Sequence, residues 1–236
     1  QCIRTSSQGR EADLRAEALA LGLDGIRFML AHGADRAAVA SSLLGRFNAD
    51  NLLAVAGVLI ADGMGLGEVA ALLGRLSPVD GRMSRLGGMH GKPLVVVDYA
   101  HTPDALQQAL KTLRAHSQAK LICVFGCGGD RDRSKRPLMA ASAELWADAV
   151  WVTDDNPRSE SGDAIVGEIR AGFTKADAVR IQRDRRAAIA EAIAAAGPQD
   201  VVLIAGKGHE TYQEVAGVKT PFDDRAIAAT FLQDAA

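Results

Sequence analysis

Cysteine is scarce in this chain, and the little there is forms no pattern. Cys2, Cys123 and Cys127 are an odd number without the paired spacing of a metal site, and Cys123 lies inside an apolar, strand-like run. A reducing cytoplasm is therefore the simplest expectation. No apolar run approaches the roughly 20 residues needed to span a bilayer, so no membrane insertion is expected, and the amino terminus lacks the basic-then-apolar pattern of a secretion signal. An excess of either charge is missing too. The 27 basic and 29 acidic residues leave a net charge of -2, which supplies no field for nucleic acid and leaves small acidic or zwitterionic ligands open. There is no internal repeat and no low-complexity tract. The chain also begins without Met, which suggests a piece of a longer protein.

What is present suffices for a full core, since 48% of the 236 residues are hydrophobic and 24% charged. Apolar pieces at 14–21, 26–31 and 37–44, separated by Gly-Leu-Asp-Gly and His-Gly-Ala-Asp turn signals, read as a small antiparallel meander. Helical patterns follow at 51–61 and 67–76. Breakers then concentrate between Ser77-Pro78 and Gly91-Lys92-Pro93, and the domain boundary is expected there. Beyond it strands at 94–98, 120–125, 149–153, 178–181 and 200–205 alternate with helices at 103–116, 134–147, 164–173 and 183–196. Strands that are apolar throughout, joined by helices, indicate a parallel sheet covered on both faces. A hairpin at 211–219 and a last helix from about Asp223 end the chain.

Four strands end in polar loops, and in an open α/β sheet that edge is where ligands bind. The loop that organises the rest is Asp154-Asp155-Asn156-Pro157-Arg158. A carboxylate, an amide and a guanidinium on one short turn can read a ligand carrying both ammonium and carboxylate groups, although Asp, Asn and Pro also make ordinary turns. Asp98-Tyr99-Ala100-His101-Thr102-Pro103 ends another strand, with Thr102 and Pro103 suited to starting a helix and Asp98 equally able to cap a turn. A third loop, 126–137, combines glycines with six charges in the seven residues 130–136. It matches neither the dinucleotide fingerprint nor the phosphate-binding lysine loop, so no nicotinamide cofactor is expected. In the fourth, Gly206-Lys207-Gly208-His209-Glu210, two glycines deliver His209 and Glu210 to the same edge. Four polar strand ends on one edge make a pocket the better reading than four unrelated turns.

Together with Leu44-Gly45-Arg46-Phe47-Asn48, Asn51 and Gly81-Arg82-Met83, these loops resemble the Mur ligases, ATP-dependent amide ligases, over essentially the whole chain. Asp-Asn-Pro-Arg at 155–158 is similar to the form in the branch that adds meso-diaminopimelate to UDP-N-acetylmuramoyl-L-alanyl-D-glutamate (a UDP-MurNAc-dipeptide), whereas lysine-adding members tend to differ at the arginine. The resemblance implies that 1–80 is the end of the ATP-binding central domain, 81–92 a linker and 93–236 the amino-acid-binding domain. That last domain is expected to be an α/β, Rossmann-like, mostly parallel sheet with helices on both faces. The chemistry implied is attack of a glutamate carboxylate on the γ-phosphate of ATP, followed by displacement of phosphate from the acyl phosphate by the incoming amine. The family's Gly-Lys-Thr loop for ATP phosphates and its modified lysine have no counterpart here. Ligands for Mg2+ are therefore expected mainly elsewhere, no metal site is expected in this chain, and the chain alone is expected to be inactive.

Residue by residue, the resemblance places diaminopimelate on Arg131, Asp155, Asn156, Pro157, Arg158, Gly206 and Glu210. Arginines would fork carboxylates, while Asp155 and Glu210 would meet ammonium groups. Asn51, Arg82 and Asp98 would serve ATP, and His101 is the catalytic candidate. A monomer without nucleic-acid partners is expected. The rivals are a lysine-adding or folylpolyglutamate-type ligase, against which Arg158 argues, and a non-catalytic ligand-binding module.

Overall fold

The computed structural model describes residues 2–234 and divides into two compact units, Gln1–Pro78 and Val79–Ala236. The first holds β1 (Thr5–Ser6), β2 (Leu14–Gly22), β3 (Gly25–His32) and β4 (Asp35–Ser41) in that order in one sheet. Strands β2 to β4 form the expected antiparallel meander, and β1 adds to β2 in parallel. Helices α1 (Arg46–Ala61) and α2 (Leu66–Gly74) follow. The buried positions of α1, namely Ala49, Leu52, Leu53, Ala56 and Gly57, recur at the three- and four-residue spacing of a single face. They share a core with Leu14, Ile26, Phe28 and Leu30 of the sheet. The helix starts five residues earlier than its apolar pattern suggests. Only Gly45, at φ 93°, breaks the chain, and Asn48 already donates its side-chain amide to the Leu44 carbonyl at 2.8 Å.

The second unit is a doubly covered sheet. Its elements are β5 (Ser84–Gly87), β6 (Leu94–Asp98), α3 (Pro103–His116), β7 (Leu121–Phe125), α4 (Lys135–Trp146), β8 (Ala149–Val152) and α5 (Gly162–Arg170). These are followed by β9 (Arg180–Ile181), α6 (Arg185–Ala194), β10 (Val201–Ala205), a separate hairpin of β11 (Tyr212–Val215) and β12 (Val218–Pro221), and α7 (Asp224–Asp234). The sheet order is β5-β6-β10-β7-β8-β9, parallel except at β5. One alternate set of strand residues, including Val97, Ile122, Val124 and Ile204, packs with Ala188, Ile189, Ala228 and Leu232 of α6 and α7. The other set, such as Val96, Cys123 and Leu203, is equally buried, so both faces are covered.

Two features differ from the sequence expectation. Residues 81–92 are no linker: they carry β5, paired antiparallel from Ser84↔Val97 to Gly87↔Leu94. The glycines that read as breakers make the tight turn into β6, where the Gly88 amide donates to the Pro93 carbonyl at 2.9 Å. The strand expected at 178–181 is reduced to Arg180–Ile181 behind a short 3-10 turn, Ala176–Ala178. Because the units part at Pro78, mild proteolysis is expected to cut the exposed 76–80 segment first and leave β6 through β10 as one protected band on a gel. Earlier loss of that band would show that the second unit does not fold independently.

The insertion of β10 between β6 and β7 is what builds the site. It brings the carboxyl ends of β6, β10, β7 and β8 side by side along one edge.

Candidate functional site

The ends of β7 and β8 are stitched into a single wall. The Gly129 amide donates to the Asn156 carbonyl at 2.9 Å, and Arg158 Nη1 donates back to the Gly129 carbonyl at 2.8 Å. A Cβ on Gly129 would lie 1.9 Å from the Pro157 oxygen, so only glycine permits this backbone contact. Pro157 thus packs against the glycine loop, while its neighbours face the cavity. Fully buried Arg136 ties the wall from behind. It donates to Glu160 at 2.9 Å through both terminal nitrogens, to Glu168 at 2.7 Å and to the Gly128 carbonyl at 3.2 Å.

The hairpin holds the other side. Arg158, at φ 53°, donates its amide to the Glu214 carbonyl and accepts from the Ala216 amide, so residue 158 acts as an added strand beside β11. Gln213 Nε2 donates to the Asp155 carbonyl at 2.9 Å. Asp154 points elsewhere, bound to Arg183 at 2.6 and 2.8 Å.

Between these walls lies a polar cavity of about 210 Å³. It brings together His101, Arg131, Asp155, Asn156, Arg158, Gly206 and Glu210 of the sequence candidates, and leaves out Pro157, Arg82 and Asp98. Asp155 is only 8% exposed, and its carboxylate accepts no hydrogen bond from the described residues. Burial pushes this carboxyl above the usual carboxylate range, opposed by the nearby Arg185 and Lys207 cations. Gly206, at φ 120°, makes the space, because a Cβ there would sit 2.5 Å from Asp155 Oδ2. Asn156 is held by three bonds. Its Nδ2 donates to Glu210 at 2.8 Å, and its Oδ1 accepts from Lys207 Nζ at 2.9 Å and the Glu214 amide at 3.0 Å. The cavity also has a neutral wall, since burial pushes the Cys127 thiol up to about 12.

His101 Nδ1 lies 2.8 Å from the Tyr99 carbonyl oxygen, which can only accept, so the proton sits on Nδ1 and Nε2 carries the free lone pair. Lys135 donates to the His101 carbonyl at 2.8 Å. Asp98 caps turns: its two oxygens accept from the Met83 amide at 2.8 Å and the Ala100 amide at 2.9 Å, leaving little for a ligand. Arg82 lies over the Tyr99 ring at 5.0 Å, and Asn51, in the first unit, donates to Asn48 at 3.0 Å on an exposed helix face. Sequence reasoning passed over Lys207, Tyr99 and Tyr212. A lysine between two glycines after a strand was a signal available for Lys207, whereas Tyr212 arrives from the hairpin with none.

Residues 81–208 match the model of the family described as "Mur ligase, glutamate ligase domain". The chain belongs to the Mur ligase family. It is 62% identical over 222 residues to the UDP-N-acetylmuramoyl-L-alanyl-D-glutamate--2,6-diaminopimelate ligase of Xylella fastidiosa, covering 94% of this chain and 45% of that protein. The ligase of the same name from Xanthomonas oryzae pv. oryzae is 61% identical over 233 residues, covering 98% and 47%. A solved structure of a ligase so named superposes with a TM-score of 0.83 at 40% identity, covering 99% of this chain and 48% of that one. This Mur ligase chain thus spans somewhat under half the length of the relatives it matches. Among its described residues no three His, Cys, Asp or Glu side chains cluster closely enough to hold a metal ion. Nor is any described helix long and apolar enough to cross a membrane.

Proposed function

We propose that this chain carries the amino-acid-binding site of an ATP-dependent ligase that joins meso-diaminopimelate to UDP-N-acetylmuramoyl-L-alanyl-D-glutamate. The observation that carries the reading is the buried, donorless carboxylate of Asp155 in a cavity that the cations of Arg131, Lys135 and Arg158 also line. A buried carboxylate without a donor is costly, and a ligand ammonium supplies what is missing. Glu210 offers a second carboxylate to the amine, and the locked amide of Asn156 presents N–H rather than oxygen, suiting a ligand carboxylate. The arginines suit carboxylates in forked geometry. A ligand with amines and carboxylates at both ends satisfies the set; lysine satisfies only part of it.

In this reading the acyl phosphate forms from the nucleotide substrate and ATP, and the cavity positions the amine that displaces phosphate. Binding supplies proximity and orientation. His101, with Nε2 free at the cavity, is the candidate to take the proton that the attacking amine must lose. Arg82 remains available to the ATP side; the capping role of Asp98 weakens its claim, and Asn51 keeps only an exposed amide. The requirement for ATP and a nucleotide-linked substrate goes with the cytoplasm. The test is ADP release by the enzyme containing this chain, with meso-diaminopimelate or lysine as acceptor. Release that depends on diaminopimelate, and is abolished by Asp155→Asn, supports the reading; release indifferent to the acceptor overturns it.

A further inference from the structure

Arg131 and Arg158 reach the cavity from different loops, yet their side chains meet beside one residue. A Cβ placed on Gly128 would lie 2.7 Å from Arg158 Nη1 and 3.8 Å from Arg131 Cγ. Two guanidinium side chains carried by separate loops keep a fixed relation only if the loops are themselves fastened together. For Arg158 the fastening is the Gly129 carbonyl and the edge of β11. Arg131 has a different one. Its Nη1 donates to the Asp130 carbonyl at 2.9 Å, so the direction of that carbonyl fixes where the guanidinium stands.

That direction is set by Asp130 at φ 54°, a left-handed conformation that costs a non-glycine residue energy and that aspartate tolerates better than most. Three hydrogen bonds hold it there. The Asp130 amide donates to Glu160 Oε1 at 2.6 Å, and the Asp130 carboxylate accepts from the Ser159 hydroxyl at 2.6 Å and the Ser159 amide at 3.2 Å. Glu160 is anchored in turn by both terminal nitrogens of buried Arg136 at 2.9 Å. A line of direct contacts therefore runs from the core through Glu160 to the backbone of Asp130 and on to Arg131, and the residues it clasps are the two that follow Arg158. Asp130 and Ser159 are exposed, where such bonds add little to the stability of a fold. What the clasp supplies is a held conformation.

We propose that Asp130 is a positioning residue that keeps Arg131 in register with Arg158, and that the Asp130–Ser159 clasp is thereby a determinant of selectivity for amino acids bearing a second carboxylate. The proposal rests on the reading of the cavity as an amino-acid site, and extends it to residues outside the lining, which includes both arginines and neither Asp130 nor Ser159.

The test places four single variants in the complete enzyme and follows kcat, the KM for meso-diaminopimelate and for ATP, the ratio of specificity constants for diaminopimelate and lysine, and thermal melting. Asp130→Ala should raise the KM for diaminopimelate about fivefold or more and lower its advantage over lysine by a similar factor, with kcat and the KM for ATP held within about twofold. Asp130→Gly is the deciding variant. Glycine takes the left-handed conformation without strain, so melting should match the parent protein, but it has no carboxylate to hold Ser159, so the KM should rise as in the alanine variant. Asp130→Asn keeps an oxygen for the Ser159 hydroxyl and should stay within about twofold of the parent. Ser159→Ala opens the clasp from the other side; it should raise the KM about threefold and add less than about twofold in an Asp130→Gly background.

A glycine variant with the parent KM would reduce Asp130 to a turn residue and overturn the proposal. So would an asparagine variant as poor as alanine, which would assign the effect to charge, or full additivity of Asp130→Gly with Ser159→Ala. Equal losses in kcat and in the KM for ATP would show general disruption and overturn it as well. Should Asp130→Ala fail to fold, the glycine and Ser159 variants decide by the same criteria. Failure of the ligase reading itself shows elsewhere, as ADP release by the unaltered enzyme that does not depend on diaminopimelate.

Discussion

Replacing Arg158 by alanine in the enzyme that contains this chain is expected to raise the KM for meso-diaminopimelate by about thirtyfold or more and to narrow its advantage over lysine by a similar factor. The backbone bonds that fasten residue 158 to β11 do not involve the side chain, so the loop survives the substitution. What is lost is a partly buried guanidinium with one nitrogen on the Gly129 carbonyl and Nε 3.8 Å from Glu214. Nη2 has no hydrogen-bond acceptor among the described residues and is the group left for a ligand. Diaminopimelate differs from lysine by one carboxylate, and removing a cation that pairs with it costs roughly 2–5 kcal/mol in a desolvated pocket. Arg158→Lys should rescue in part, since an ammonium cannot reproduce the planar fork. An unchanged ratio of the two specificity constants would reduce Arg158 to a turn residue and remove the best physical support for diaminopimelate as the substrate.

The parts of the molecule legible in the sequence are those whose physics is local. Strands β6, β7, β8 and β10 are apolar on both faces, so their runs stand out without knowledge of their neighbours. Their loops were legible for the same reason, each being the polar stretch after such a run. Order within the sheet was not, because periodicity says nothing about pairing; that β10, fifth of the parallel strands in sequence order, lies between β6 and β7 is a tertiary fact. β5 was hidden by glycines that turn a hairpin yet read as a linker. Buried cations were missed for another reason. Arg136, Arg185 and Lys207 stand in polar stretches that suggest solvated faces, and only the fold shows each of them closed off from water. Asp98 shows the converse, a residue at a strand end that looks functional and whose oxygens are occupied by the Met83 and Ala100 amides.

The largest effect on stability is expected from Asp224→Ala, at about 3–5 kcal/mol. Asp224 and Arg185 are both entirely buried. Arg185 Nε and Nη2 donate to the two carboxylate oxygens at 2.8 and 2.7 Å, and Nη2 also reaches the Ala205 carbonyl at 3.0 Å. The pair therefore joins the first turns of α6 and α7 to the end of the central strand, directly beneath Gly206. Arginine does not give up its proton at accessible pH, so removing Asp224 leaves an uncompensated cation in the core rather than a neutral one. For a folding unit of this size the loss corresponds to a fall in Tm of about 10 °C. The double replacement Arg185→Met with Asp224→Leu takes away the charge and its partner together, and should recover most of that loss, because a well-packed apolar pair of similar volume is close to neutral in cost. Ligand binding need not return with the stability: Arg185 also opposes the burial of Asp155, and without it that carboxyl rises. Thermal melting of the two variants decides the matter. A single variant that melts with the parent protein would show that water reaches Arg185, and a double variant that melts as low as the single one would show that the hydrogen bond to Ala205, rather than the charge pair, is what holds this end of the sheet together.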